Sequence, residues 1–149
     1  MKQYYSYENF TKDTNTLIDM IEDFSPQAIV GIARGGLTLS HALAEGMDIR
    51  EVQTIRTELY DATCKRDELT LFGSCDFVDK QRVLVVDDIS DSGETLDVIM
   101  QHFKEQFPEI EFKSATLFYK KTSKYEPDFW INEAHNWIEF FWEKDFIRE

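Results

Sequence analysis

The sequence is poor in cysteine and in positive charge, and each shortage excludes a class of function. Its two cysteines, Cys64 and Cys75, are separated by ten residues, which matches no metal-ligand spacing, so we expect reduced thiols rather than a disulfide or a zinc site. The sequence contains 16 Lys and Arg residues and 29 Asp and Glu residues, which gives a formal net charge of -13. This charge opposes binding to nucleic acid or to an anionic membrane, because affinity for phosphate groups along a surface comes from clustered Lys and Arg. If the ligand carries phosphate, a local device must overcome this charge, and backbone amides and a divalent cation are the usual ones.

Long apolar runs are also missing. No stretch approaches the ~18 apolar residues of a membrane helix, and residues 1–14 lack the apolar core and cleavage site of a signal peptide, so we expect a cytoplasmic protein. An apolar content of 42% is nevertheless too high for general disorder, and 149 residues match the length of one ordinary domain spanning 1–149.

Hydrophobic periodicity predicts strands that alternate with helices. The predicted helices span 7–24, 37–45 and 93–107, the predicted strands span 28–32, 52–59, 69–72, 82–86 and 112–118, and a polar loop spans 60–68. This order predicts a doubly wound α/β domain with a mainly parallel central sheet and helices on both faces. Ligands of such sheets bind outside the carboxyl ends of the strands.

The stretch VLVVDDISDSGETL (83–96) joins a strand that is apolar on both faces to the start of a helix. The free N–H groups at the helix start, with the hydroxyls of Ser92 and Thr95, form an anion site suited to a phosphomonoester. Asp87 and Asp88 would repel that phosphate, so they must face another part of the ligand, such as vicinal hydroxyl groups. Phosphate at one end and a diol at the other describe a sugar phosphate.

Other interpretations of this loop fit less well. No lysine follows the glycine as a nucleoside triphosphate P-loop requires, and Ile89 occupies the position of the second ligand of a calcium EF-hand. A receiver domain would place such a strand at its beginning, whereas here more than half of the chain precedes it. A helix cap without a ligand needs one capping residue, not three carboxylates in five positions.

The loop ARGGL (33–37) follows the first strand, and together with VLVVDDISDSGET it resembles the signature of the type I phosphoribosyltransferases, which bind 5-phosphoribosyl-1-pyrophosphate (PRPP). The resemblance extends from Ile29 to Glu143. It is nearest to the small bacterial xanthine-guanine enzymes through TELYD, TLFYKK and NWIEFFWE. It implies the type I phosphoribosyltransferase fold, with a small hood formed by the C-terminal tail, and a homodimer or homotetramer.

The resemblance also implies roles for the PRPP-binding residues. Asp87 and Asp88 would bind the ribose hydroxyls, partly through Mg²⁺ held by Asp88. The backbone at Arg34 and Gly35 would meet the pyrophosphate, usually with a non-proline cis peptide bond just before the arginine. The 5′-phosphate would be held by the turn formed by Asp91, Ser92, Gly93, Glu94 and Thr95.

Base recognition is implied for the second half of the chain. Lys120 would donate to the 6-oxo group of a purine, although Lys121 competes for this role because the strand register is not visible. Trp137 would stack on the base, with packing in the core as its alternative, and Ile138 would offer backbone groups. Asp91 would act as the catalytic carboxylate near N7 of the base.

Two features depart from the family's pattern. Glu94 places a negative charge where the family commonly has a small residue, and WIEFFWE lacks the proline that usually precedes the last tryptophan.

In the loop 60–68, Tyr60, Lys65 and Arg66 would close over pyrophosphate, or else form an ordinary solvated loop. The predicted function is purine salvage, in which 5-phosphoribose passes from PRPP to guanine, xanthine or hypoxanthine; the alternative is a non-catalytic regulator that binds PRPP or a nucleotide.

Overall fold

The computed structural model describes residues 1–60 and 68–148, which form ten strands and four α-helices. In chain order they are β1 (Lys2–Tyr5), α1 (Tyr7–Ile21) followed by a 3-10 turn (Glu22–Phe24), β2 (Ala28–Ile32), α2 (Leu37–Met47), β3 (Val52–Tyr60), β4 (Glu68–Phe72), β5 (Arg82–Val86), β6 (Ile89–Ser90), α3 (Glu94–Gln106), β7 (Glu111–Ala115), β8 (Phe118–Tyr119), β9 (Asn132–Glu133), β10 (Trp137–Phe140) and α4 (Phe141–Lys144).

The central sheet has the strand order β4-β3-β2-β5-β7, parallel except for the antiparallel pair β3 and β4. Strand β2 is buried along its whole length, as is β5 beyond Arg82. Their alternate side chains enter two separate clusters: Ile29 and Leu84 pack against α1 and α2, whereas Val30 and Val85 pack against α3. Helices therefore cover both faces, and the predicted doubly wound α/β fold is confirmed.

Helix α2 continues through Gly46 to Met47, two residues beyond the predicted span 37–45. A Cβ atom at Gly46 would collide with the side chain of Ile18 on α1, so this glycine lets the two helices approach closely. The residue that caps its C-terminus is Asp48, which adopts a left-handed conformation with φ 53°.

The strand predicted at 112–118 is divided. It leaves the central sheet after Ala115, and the N–H groups of Leu117 and Phe118 both donate to the carbonyl oxygen of Asp88, at 3.0 and 3.2 Å. Phe118 then begins β8, which lies between β6 and β9 in a separate three-stranded sheet. The following Lys120 is joined to β6, because its N–H donates to the carbonyl oxygen of Ser90 at 3.0 Å.

The N-terminal strand β1 was not predicted. It pairs in parallel with β10, from Lys2 opposite Trp137 to Tyr5 opposite Phe140. Tyr5 is 2% exposed and donates a hydrogen bond of 2.7 Å to Asp13 on α1. The hood expected from the C-terminal tail alone is thus built from both ends of the chain.

The predicted loop 60–68 is shorter than expected, because Tyr60 and Glu68 are paired residues of β3 and β4. The hypothesis for Tyr60, Lys65 and Arg66 concerns side chains outside the described part of the structure, and the same holds for Cys64. Within the residues that are described, no helix is long and apolar enough to cross a membrane.

Candidate active site

Two aspartates lie where β5 leaves the core. The N–H of Asp87 donates to the carbonyl oxygen of Ala115 at 3.1 Å, and the N–H of Asp88 donates to Oδ1 of Asp87 at 2.8 Å. Both side chains are only partly exposed. The parallel strands β2 and β7 hold β5 on either side, so the position of this acidic pair is fixed by the middle of the sheet.

Burial disfavours the ionised form of both carboxyl groups. It raises the pKa of Asp87 well above the ordinary value, with a further contribution from the neighbouring carboxyl of Asp88. Burial likewise raises the pKa of Asp88 to about 6, and the charge of Glu143 acts in the same direction. A cation or hydroxyl donors placed against these carboxyl groups would relieve the cost of burying their charge.

The glycine turn after β2 reaches the same point. The Ala33–Arg34 peptide bond is cis, as the resemblance implied. A Cβ atom at Gly35 would lie 2.8 Å from Cγ of Asp88, and one at Gly36 would lie 2.9 Å from Cα of Asp87. Glycine is required here because the turn packs directly against the acidic pair, while the Arg34 side chain remains exposed.

The turn after Ile89 surrounds a small cavity of about 100 Å³ at the start of α3. Gly93 adopts φ 86°, a conformation that favours glycine, and Oγ of Ser92 accepts a hydrogen bond of 3.3 Å from the N–H of Glu94. The cavity is lined by Asp87, Ile89, Ser90, Asp91, Ser92, Gly93, Thr95 and Leu96. Glu94 is exposed and does not line it.

A larger cavity of about 460 Å³ adjoins the small one, and Ile89 and Asp91 line both. Nζ of Lys120 lies 3.7 Å from Oδ1 of Asp91 in this cavity, whereas Lys121 pairs with Glu133 at 3.5 Å and does not line it. Of the two competing lysines, Lys120 is therefore the one placed beside Asp91.

Trp137 and Ile138 form part of the same cavity wall. Trp137 is 68% exposed, so the alternative that it packs in the core is wrong. Ile138 is 6% exposed and belongs to the core on its other side. Neighbouring positions on one strand thus present an exposed aromatic ring and a buried anchor.

Seven further residues line the large cavity without having been predicted: Met1, Ile89, Ala134, His135, Asn136, Phe140 and Glu143. Met1 reaches it because its carbonyl oxygen accepts a hydrogen bond of 3.3 Å from the N–H of Trp137. Glu143 belongs to the quoted tail segment NWIEFFWE, which could have suggested it. Met1 had no local signal, since only the pairing of β1 with β10 brings it there.

The acidic pair offers oxygen ligands, which suit Mg²⁺. In the described ranges, 1–60 and 68–148, no group of three His, Cys, Asp or Glu is arranged to hold a metal ion. This arrangement fits an ion bound through one or two carboxylates together with oxygens of a substrate, which is the usual mode for Mg²⁺ beside phosphates. Asp88 and Asp87 are the residues that would hold it.

Comparisons with known proteins agree with this geometry. Residues 1–145 match the model of the phosphoribosyl transferase domain family. A xanthine-guanine phosphoribosyltransferase of Cereibacter sphaeroides is 29% identical over 93% of this chain and 84% of its own. The solved xanthine-guanine-hypoxanthine phosphoribosyltransferase of Helicobacter pylori has 38% identity and a TM-score of 0.91, covering 97% of this chain and 96% of its own. A purine phosphoribosyltransferase of Pyrococcus horikoshii has 29% identity and a TM-score of 0.86, covering 99% and 97%.

Proposed function

The chain belongs to the phosphoribosyl transferase domain family, and from this premise we propose that it transfers 5-phosphoribose from PRPP to a 6-oxopurine, releasing pyrophosphate. The observation that carries the proposal is Asp91, which lines both the small cavity at the start of α3 and the large cavity beside it. One carboxylate thereby faces the site for the sugar phosphate and the site for the base. The similar proteins from C. sphaeroides and H. pylori support a purine as the acceptor.

PRPP would lie along the carboxyl ends of β2 and β5. Its 5′-phosphate would occupy the small cavity, where Ser92 and Thr95 add hydroxyl donors to the N–H groups at the start of α3. Its ribose hydroxyls would donate to Asp87 and Asp88. Its pyrophosphate would meet the turn at Gly35, which touches Asp88.

The base would enter the large cavity with its 6-oxo edge toward Lys120 and Asp91. O6 and N7 are neighbours on this edge, so an ammonium and a carboxylate 3.7 Å apart offer a donor for O6 and an acceptor for a proton at N7. Adenine carries an amino donor at position 6, and Lys120 would oppose it. Both side chains are more than half exposed, so their ion pair is weak enough to open for the base.

We also propose that the reaction depends on Mg²⁺ held by Asp88, with the support of Asp87. When bound, the ion would supply positive charge beside the leaving pyrophosphate. The protein residues position the reactants: the sugar is fixed at both ends and Trp137 stacks on the base, so that the purine nitrogen attacks C1 of the ribose as pyrophosphate departs. A homodimer or homotetramer in the cytoplasm completes the proposal, on the basis of the family resemblance.

The deciding experiment offers PRPP, with and without Mg²⁺, together with each of guanine, xanthine, hypoxanthine, adenine, uracil and orotate. We expect nucleotide and pyrophosphate in equal amounts with the 6-oxopurines, and no turnover with adenine, uracil or orotate. Calorimetry with PRPP alone separates the alternatives. Binding without product from any base would contradict the enzyme and favour the regulator, and product from adenine would contradict the role of Lys120.

A further inference from the structure

The segment from Lys120 to Tyr125 packs behind the turn that surrounds the small cavity. Two backbone hydrogen bonds join them: the N–H of Lys120 donates to the carbonyl oxygen of Ser90, and the N–H of Lys124 donates to that of Ser92, each at 3.0 Å. The segment closes on itself through the N–H of Ser123, which donates to the carbonyl oxygen of Lys120 at 2.8 Å. We call residues 120–125 the support segment.

Two serine hydroxyls connect the support segment to the turn. Oγ of Ser90 lies 2.9 Å from Oγ of Ser123 and 2.7 Å from the carbonyl oxygen of Tyr125, and Oγ of Ser123 lies 3.0 Å from that same carbonyl oxygen. Each hydroxyl has one proton, so the two serines fill two of these three contacts at a time, and Oγ of Ser123 also accepts a hydrogen bond of 3.2 Å from the N–H of Tyr125. Ser90 is 2% exposed, and water cannot readily replace a lost partner there.

Gly93 shows how closely the two parts approach. A Cβ atom at this position would lie 2.7 Å from the backbone nitrogen of Tyr125 and 3.0 Å from that of Lys124, and it would collide with Oγ of Ser123. The turn and the support segment therefore touch through backbone atoms, and movement of one displaces the other.

The support segment begins at Lys120, which the proposed function assigns to the base. It also holds the backbone of Ser90 and Ser92, which surround the proposed phosphate site. The hydroxyls of Ser90 and Ser123 have no role in that reaction, yet together they fix the turn against the support segment. Resting on the proposed function, we propose that Ser123, through Ser90, is a positioning residue that holds the turn Ser90–Gly93 in the shape required by the 5′-phosphate of PRPP.

The test compares Ser123→Ala, Ser90→Ala and the double variant, with Thr122→Ala as the matched control. Thr122 is exposed and lies next to Ser123 on the same segment. Loss of one hydrogen bond costs about 1 kcal/mol, so Ser123→Ala should raise the KM for PRPP about fivefold, and Ser90→Ala should raise it by about tenfold. The KM for guanine should change less, because the N–H of Lys120 keeps its bond to Ser90. The double variant should be no worse than Ser90→Ala, since the two hydroxyls act as one unit.

Three results would overturn the proposal. They are a KM for PRPP as little changed as in Thr122→Ala, equal changes in the KM for PRPP and for guanine, and additive effects in the double variant. If the two serines served stability alone, their variants would lower the melting temperature, but the KM for PRPP would not rise more than the KM for guanine.

Calorimetric titration of PRPP with Mg²⁺ separates this proposal from the proposed function. If the wild-type protein makes no nucleotide but binds PRPP, and Ser123→Ala binds it about fivefold more weakly, the positioning role stands without the enzyme. If the wild-type protein does not bind PRPP, both proposals are wrong.

Discussion

The two cavities of the candidate site are built in different ways. The small cavity is lined by residues from one continuous stretch, Asp87 to Leu96, at the junction of β5 and α3. The large cavity draws on four separated parts of the chain, including Met1 and Glu143, and its walls depend on the pairing of β1 with β10. The rigid centre of the sheet supports the first, whereas the hood formed by both chain ends supports the second.

This difference assigns separate tasks to the two regions. A continuous turn anchored on a buried strand suits the part of a ligand that every substrate shares, which here would be the sugar phosphate. A cavity assembled from distant segments can change in shape through single residues of the hood, which suits recognition of one base among several. Substitutions should therefore affect binding of PRPP and binding of the base separately, whereas Asp91, which with Ile89 lines both cavities, should act mainly on turnover.

Asp91→Asn should have the largest effect, because it removes the proton acceptor where the two cavities meet. We expect kcat to fall by about 100-fold or more, while the dissociation constant for PRPP changes little. The measurements are steady-state kinetics with guanine and calorimetry with PRPP. Asp19→Asn serves as the control, since Asp19 is exposed on α1 and lines neither cavity. Parallel losses of kcat and of PRPP affinity would contradict the assignment.

The sequence was sufficient for the continuous region and insufficient for the assembled one. The apolar run before Asp87, the paired carboxylates and the glycine near the start of α3 are local signals, and the structure brings all of them together. The choice between Lys120 and Lys121 could not be made from the sequence, because it depends on the break after Ala115. That break depends on hydrogen bonds to the carbonyl oxygen of Asp88. Such bonds join residues about thirty positions apart and have no period in the sequence.

The predicted end of the helix 37–45 falls two residues short of the observed end for a related reason. Glycine commonly ends helices, but here it makes room for Ile18 of another helix. Likewise, β1 is short and mostly exposed, and it gains its stability from Tyr5 and from β10. In each case a contact between distant parts of the chain outweighed a local preference.

Asp88→Asn should have the next largest effect, with opposite signs for binding and stability. Replacing the carboxylate should weaken PRPP binding about 30-fold, because a charged acceptor for ribose hydroxyls or Mg²⁺ is lost. The same change should stabilise the free protein at pH 7.5 by about 1 to 3 kcal/mol, because a buried charge is removed. Calorimetry and urea unfolding measure the two quantities.

The pH dependence of this effect follows from the raised pKa of Asp88, about 6. Between the ordinary pKa of about 4 and this value, the folded protein holds a proton that the unfolded chain has released, so the contribution to stability falls as pH rises. The gain from Asp88→Asn should accordingly vanish near pH 4 and be complete above pH 7. Binding of PRPP to the wild-type protein should weaken below about pH 6 as Asp88 takes up its proton. A gain in stability that did not vary with pH would contradict this explanation.

Trp137→Ala should have the smallest of these effects and should be confined to the base. Its ring is 68% exposed on the wall of the large cavity, so its removal should cost little stability. Stacking of a base on an aromatic ring contributes about 1 to 3 kcal/mol, which predicts a rise of about tenfold or more in the KM for guanine with the KM for PRPP unchanged. Trp130→Ala is the matched control, because Trp130 packs on Tyr119 and lies outside this cavity, so that its loss should lower the melting temperature without changing the KM for guanine. An equal rise in both KM values for Trp137→Ala would show that hood and turn act together and that the division between the two regions is wrong.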